Sequence, residues 1–161
     1  MNLRVIDFDI LTRSFQPYVD GYLKIEQEKK KLIDSIEPQK REMQSIINSS
    51  TSGIIVDELT QQKNIERFKV LQEELMKKDQ EFKMVLKEMR DDLNTSVYEQ
   101  LSEIISEWSA QNDIDLVTGK MEVIFAKSSI DATDEIVQIL KEKNLFHLEE
   151  TQESNQEDYQ I

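Results

Sequence analysis

Apolar residues in the stretch Ile54–Gln111 return every seven positions, at Phe68, Leu75, Phe82 and Met89, with Leu71, Leu86 and Leu93 at offsets of three and four. That spacing predicts a helix with a narrow seam, suited to packing against one partner helix. Further on, Val97, Leu101, Ile104, Ile105 and Trp108 make a wider stripe, suited to a packed body. No Pro or Gly interrupts these 58 residues. At roughly 1.5 Å per residue one helix here would reach about 87 Å, against about 30 Å for a domain of this size. The stretch therefore predicts an arm in its first half and a core element in its second.

A second heptad precedes it. Tyr22, Lys29, Ile36 and Met43 share one position, and Ile25, Leu32, Gln39 and Ile46 share its partner. Pro38 falls inside this pattern and predicts a kink or break near Glu37, with Pro38 restarting the helix as its first residue. Asn48–Gly53 is small and polar and ends in Gly, which predicts a helix-to-helix turn. Helices joined by a short turn lie antiparallel. Residues 22–96 thus read as a helical hairpin arm with its turn near 48–53.

The flanks change period. Leu3–Phe8 reads as a strand, after which Asp9 caps a short helix to Phe15, and Pro17 and Gly21 punctuate the path. After Gln111, Asp113–Val117 and Met121–Ala126 read as a β-hairpin turning at Thr118-Gly119-Lys120. Asp131 caps a closing helix with Asp134 and Glu135 in its first turn; it presents Ile136, Val137, Ile139 and Leu140 and ends near Lys143. Residues 1–21 and 97–147 form the β-containing body, and 148–161 form an acidic tail expected to be disordered. Three open strands bury too little to anchor such arms and leave exposed edges. Pooling strands between subunits solves both problems. The fold class is α+β and predominantly helical, with a long antiparallel hairpin on a small oligomeric β body.

Charge refines this picture. The net charge is −13 over 161 residues. Residues 1–21 and 22–93 each carry −1, while 94–161 carry −11. Without a basic face, neither nucleic acid nor an anionic membrane is an expected partner. There is no Cys, and His147 is the lone His, read as a surface residue at the tail junction. Thiolate and His-cluster metal sites and Ser-His-Asp catalysis are thereby excluded. No phosphate-cradling Gly loop is present, and no carboxylate pair sits in a catalytic context. No enzyme activity and no cofactor are expected. No apolar run approaches 18 residues, and Met1 leads straight into Leu-Arg-Val-Ile-Asp-Phe-Asp without a signal-peptide pattern. Either the chain acts where it is made or it has lost a leader.

Gln111-Asn112-Asp113-Ile114-Asp115-Leu116-Val117 and Asp131-Ala132-Thr133-Asp134-Glu135-Ile136-Val137, with Val5-Ile6-Asp7 and Phe15-Gln16, resemble the Skp/OmpH periplasmic chaperones. The likeness spans roughly residues 3–143. It implies a jellyfish-shaped homotrimer: a β-barrel body of pooled strands and three helical tentacles that hold unfolded outer-membrane proteins without ATP. Family resemblance implies a periplasmic location. Family members carry secretion signals and the best-known are basic, whereas this chain has a pI near 4.6. If Met1 is the native start, the expected location is cytoplasmic, in a cellular or phage-encoded relative with other clients.

In a holdase of this kind, Phe68, Leu71, Leu75, Met76, Phe82, Met84 and Met89 are the candidate client contacts, soft apolar groups whose weak contacts add by effective concentration. The competing reading makes Phe68, Leu75, Phe82 and Leu86 the arm's own seam and leaves Met76 and Met84 off it. Val5, Ile6, Phe8, Ile114, Leu116, Val117, Val123, Phe125 and Trp108 are the candidate oligomerisation body, Trp108 as core. The alternative function is a structural coiled-coil adaptor, or a phage assembly or virion protein, binding one folded partner.

Overall fold

The computed structural model describes residues 1–53 and 57–148. The expected tail therefore lies outside the described residues except for Leu148, as does the start of the return limb at Ile54. In chain order the elements are strand β1 (Leu3–Ile6), helix α1 (Phe8–Arg13), helix α2 (Gln16–Thr51), helix α3 (Glu58–Gln111), strand β2 (Leu116–Gly119) and helix α4 (Thr133–Glu142), with single 3-10 turns at Lys120–Glu122 and Ser128–Ile130. The predominantly helical α+β class holds. The chain divides into two compact units, a head of Met1–Asp20 with the chain from Thr95 onward, and a hairpin of Gly21–Asn94.

In the head, β1 pairs with β2 in parallel, from Leu3 opposite Leu116 to Ile6 opposite Gly119. The expected antiparallel hairpin over Asp113–Ala126 is absent. Gly119 is extended, at φ −69° and ψ 138°, so Thr118-Gly119-Lys120 does not make the positive-φ turn a tight hairpin needs. Met121–Ala126 forms no strand among the described residues. Parallel pairing needs a long crossover, and α1 to α3 supply it. Asn2 fastens the entry to β2: its N–H donates to Asp115 Oδ2, its Nδ2 donates to the Asp113 carbonyl at 3.1 Å, and its carbonyl accepts the Asp115 N–H at 2.9 Å.

β1 ends at Ile6 rather than Phe8, because Asp7 and not Asp9 caps α1. The Asp7 carboxylate accepts the Ile10 N–H at 3.1 Å. Asp9 lies in the first turn and pairs with Arg13. The Asp7 N–H donates to Thr133 Oγ1 at 2.9 Å, and Thr133 Oγ1 donates to Asp131 Oδ1 at 2.6 Å. Asp131 Oδ1 also accepts the Thr133 N–H at 3.0 Å, Oδ2 accepts from Lys120 Nζ at 3.0 Å, and the Ala132 N–H donates to the Val5 carbonyl. Asp131 thus acts one residue before the helix cap, which is Ala132. One Asp-x-Thr motif joins β1, the α1 cap, the 3-10 turn and α4. Val5, Ile6, Leu11, Phe15, Leu101, Trp108, Ile136 and Leu140 fill the core between these elements. Phe15 bridges to Phe146, which returns the chain after α4 against the start of α2.

In the hairpin unit, α2 starts at Gln16, before the expected Tyr22. Pro17 sits in its first turn, where the missing N–H costs nothing. Gly21 is a helical close approach and not a turn: a Cβ there would lie 2.3 Å from Leu93 Cδ1. Pro38 neither breaks nor restarts the helix, which runs through it unbroken. Pro38 and Asp34 are both exposed, so the Asp34 carbonyl freed by the missing N–H faces water, while Ile36 and Gln39 remain half-buried. The expected turn at 48–53 is helical to Thr51. Ser49 and Ser50 return their hydroxyls to the Ile46 carbonyl, and Thr51 to those of Ile47 and Asn48. Gly53, at φ +68°, ends the helix. Asp57 then opens α3 by accepting the Thr60 N–H at 2.9 Å and its hydroxyl at 2.7 Å. No helix among the described residues is long and apolar enough to cross a membrane.

Thr133→Val should cost about 1–3 kcal/mol, because it strips the part-buried Asp7 N–H of its acceptor. Urea unfolding followed by circular dichroism measures it. Bonds from the Thr133 hydroxyl first, then its N–H and Lys120, hold the Asp131 carboxyl below its ordinary range. A lowered folded-state pKa contributes stability above the unfolded value of about 3.9 that is lost as pH falls through the folded value. Below about pH 4 the head should therefore weaken, and Asp131→Asn should flatten that acid limb. Pro38→Ala should raise the urea midpoint, with a gain of up to about 3 kcal/mol, since it restores a helical N–H.

Candidate functional site

Two surfaces carry the sequence candidates, one in each unit. In the hairpin, α2 and α3 meet along a seam in which Ile25 and Leu71 are buried. Leu32, Ile36, Met43 and Ile46 are half-buried on one side, and Phe68, Leu75, Phe82, Leu86, Met89 and Leu93 on the other. Of the candidate client contacts, Leu71 has no exposed surface. Phe68, Leu75, Phe82 and Met89 turn part of their surface into the seam. Met76 and Met84 stand out at 57% and 72% exposure. Leu23, Ile33 and Ile47 on α2 are also exposed, as are Leu59, Ile65, Val70 and Val85 on α3, none of them a candidate from the sequence. The signal was available: each is an apolar residue one or more places off the seven-residue repeat.

Polar groups stitch one edge of the seam. Arg67 grips Glu42 through Nε at 2.6 Å and Nη2 at 2.9 Å. Its bonds hold the Glu42 carboxyl below its ordinary range and raise the guanidinium. Gln39, a polar member of the heptad, accepts from Lys78 at 2.9 Å and donates to Glu74 at 3.3 Å. A polar residue in a seam fixes register.

In the head, a groove of about 970 Å³ is lined by Ile6, Phe8, Tyr98, Ile105, Leu116 and Met121 among others. Val5, Ile6 and Trp108 are buried. Phe8, Ile114, Val117 and Val123 are half-buried, with Phe8 against the Tyr98 ring at 5.5 Å. Leu116 is 48% exposed. Phe125 is 79% exposed, beside Met121 and Ile124, which are fully open to solvent and were not candidates. β2 pairs only with β1 among the described residues, so its other edge is open. No group of three His, Asp or Glu among the described residues could hold a metal ion. His147 rests against Gln16, its Nδ1 3.1 Å from Oε1.

The sequence profile of the outer membrane proteins described as OmpH-like matches residues 3–140. This chain belongs to the OmpH-like family. No curated protein matches the OmpH-like chain. Its fold is similar to the crystal structure of a Caulobacter crescentus protein described as an outer membrane chaperone (OmpH-like), with a TM-score of 0.66 at 13% identity over 88% of this chain and 85% of that one. At that identity the likeness concerns fold.

The burial pattern in this OmpH-like hairpin sets a contrast. Leu71→Ala should lower stability by about 2–5 kcal/mol, since it empties a fully enclosed site. Met84→Ala should change it by less than about 0.5 kcal/mol. Thermal unfolding of the two variants side by side measures the difference.

Proposed function

We propose that this OmpH-like chain is a chaperone that works as a homotrimer, holding unfolded or assembling client proteins between helical hairpins without ATP. Family membership over residues 3–140 supports the chaperone role. The similar Caulobacter protein, described as an outer membrane chaperone, supports it as well. The hairpin suits the task physically. Its two helices bury Ile25 and Leu71 in their own seam, and Met76 and Met84 offer polarisable apolar surface to a client of unspecified shape. Contacts of this kind are weak singly. Three hairpins around one client would multiply them through effective concentration.

The observation that carries the oligomeric part is the segment Met121–Phe125. Met121 and Ile124 are 93% and 108% exposed and Phe125 79%, directly after β2 with its open edge. Apolar residues in such a run mark an interaction surface, and strand edges are closed in oligomers by pairing. In this reading Met121–Phe125 of one subunit covers the head groove of the next, and Val5, Ile6, Ile114 and Val117 form the layer beneath. Residues 22–96 act as the arm and 1–21 with 97–147 as the body.

Light scattering should give three times the chain mass of 19.0 kDa for the native protein. Ile124→Glu with Phe125→Glu should return it to the mass of one chain with helical content retained. A single-chain mass for the native protein sinks the trimer. At about one trimer per client and without nucleotide, the protein should suppress aggregation of a chemically unfolded protein diluted from denaturant. No suppression at any ratio sinks the holding role.

A further inference from the structure

We infer that one flank of the hairpin, the side bearing Ile33, Ile47, Ile65 and Met76 with Lys40 and Lys69 among them, is a docking surface for extended apolar polypeptide segments that carry carboxylates. The inference rests on the holding function proposed above and names which side performs it and which clients it favours.

The two flanks of the seam differ in chemistry. In an antiparallel helix pair, the residue one place before a seam position on one helix faces the residue one place before a seam position on the other. Glu42 precedes Met43 and Arg67 precedes Phe68, and these two do meet, with Gln39, Glu74 and Lys78 on the same side. The residues one place after the seam lie on the opposite flank. There Ile33 follows Leu32, Ile47 follows Ile46 and Ile65 follows Asn64, a half-buried residue seven places before Leu71, at 45%, 41% and 51% exposure. Met76 adjoins this flank one place after Leu75. One flank therefore spends its polar groups on its own helices, and the other leaves apolar surface unspent.

The spacing decides the occupant. Ile33 and Ile47 are fourteen residues apart, about 21 Å along the helix, with Lys40 midway. A partner helix, including the hairpin of a second copy, would need an apolar contact every turn, about 5 Å. An extended chain covers about 21 Å in six or seven residues. It can place an apolar side chain at each end and a charge between. The charge required is negative. Of the acids on this flank, Glu26, Glu37 and Asp79 are paired with Lys29, Arg41 and Lys83. Lys40 and Lys69 have no ion-pair partner among the described residues.

The test uses the full chain and two labelled unfolded probes, reduced and carboxamidomethylated α-lactalbumin, which is acidic, and lysozyme treated in the same way, which is basic. Fluorescence anisotropy gives each Kd. Ile33→Ser, Ile47→Ser, Ile65→Ser and Met76→Ser together should weaken α-lactalbumin binding about tenfold or more. Leu59→Ser with Val70→Ser, on the far face of α3, should leave it within about twofold. Lys40→Glu with Lys69→Glu should weaken α-lactalbumin about tenfold and leave lysozyme as tight or tighter. Equal losses from both serine sets, or an unchanged preference after charge reversal, overturns the flank assignment while the holding function stands. If the unaltered chain binds neither probe, the holding function itself fails and takes the flank with it. Should the four-serine variant lose helix by circular dichroism, the charge-reversal pair, which touches only exposed side chains, decides the question alone.

Discussion

Four residues at the start of the chain pair in parallel with four that arrive after more than a hundred others, and the rest of the architecture is arranged to let them. Leu3–Ile6 and Leu116–Gly119 run in the same direction. A parallel pair cannot be closed by a turn, so the chain must travel away and come back before it can join. Two long helices make that journey, and the hairpin is the crossover connection grown to great length. The pairing is secured at both ends by side chains rather than by more ladder. Asn2 holds the entry to β2. Thr133 and Asp131 hold the exit of β1 to the closing helix. With so short a sheet, these few bonds carry much of the head's specificity, while Leu11, Phe15, Leu101, Trp108 and Ile136 supply its apolar burial.

The hairpin was legible because its information is periodic. Phe68, Leu75, Phe82 and Met89 announce a seam without reference to anything distant, and Leu71 and Ile25 lie buried in it. The closing helix was legible for a related reason, since Ile136 and Leu140 are one turn apart. The head was less so. Its strand partner is set by a register over a hundred residues long, and a local scan met instead two neighbouring apolar runs with a Gly between them. Gly119 looked like the centre of a turn; its extended backbone shows a strand end. Asp7 and Asp9 are both plausible caps on paper, and only the bond from Asp7 to Ile10 separates them. Pro38 misled because a proline inside a helical repeat predicts a break, whereas here the helix continues through it at a place where Asp34 and Pro38 are both exposed.

The candidate surfaces show the same division. Which apolar residues of α3 enter the seam followed from the heptad. Which ones stay outside depended on α2 as well, whose Ile33 and Ile47 sit one place off its own repeat. A surface made by two helices cannot be read from one of them. Met121 and Ile124 went unnoticed for a different reason: their run reads as a strand by its alternation, and in the structure it forms no strand and leaves both residues bare.

The hairpin is helical from Gly21 to Asn94 in all of its described length except the turn. Helices consume their own main-chain hydrogen bonds, and at the turn Ser49, Ser50 and Thr51 consume several side-chain ones too. Such a surface has no β edge to lend. A polypeptide resting on it can be gripped by its side chains and cannot be enrolled as an added strand, so contact with this hairpin offers no template for a growing aggregate and no backbone ladder that must be unzipped before the polypeptide leaves.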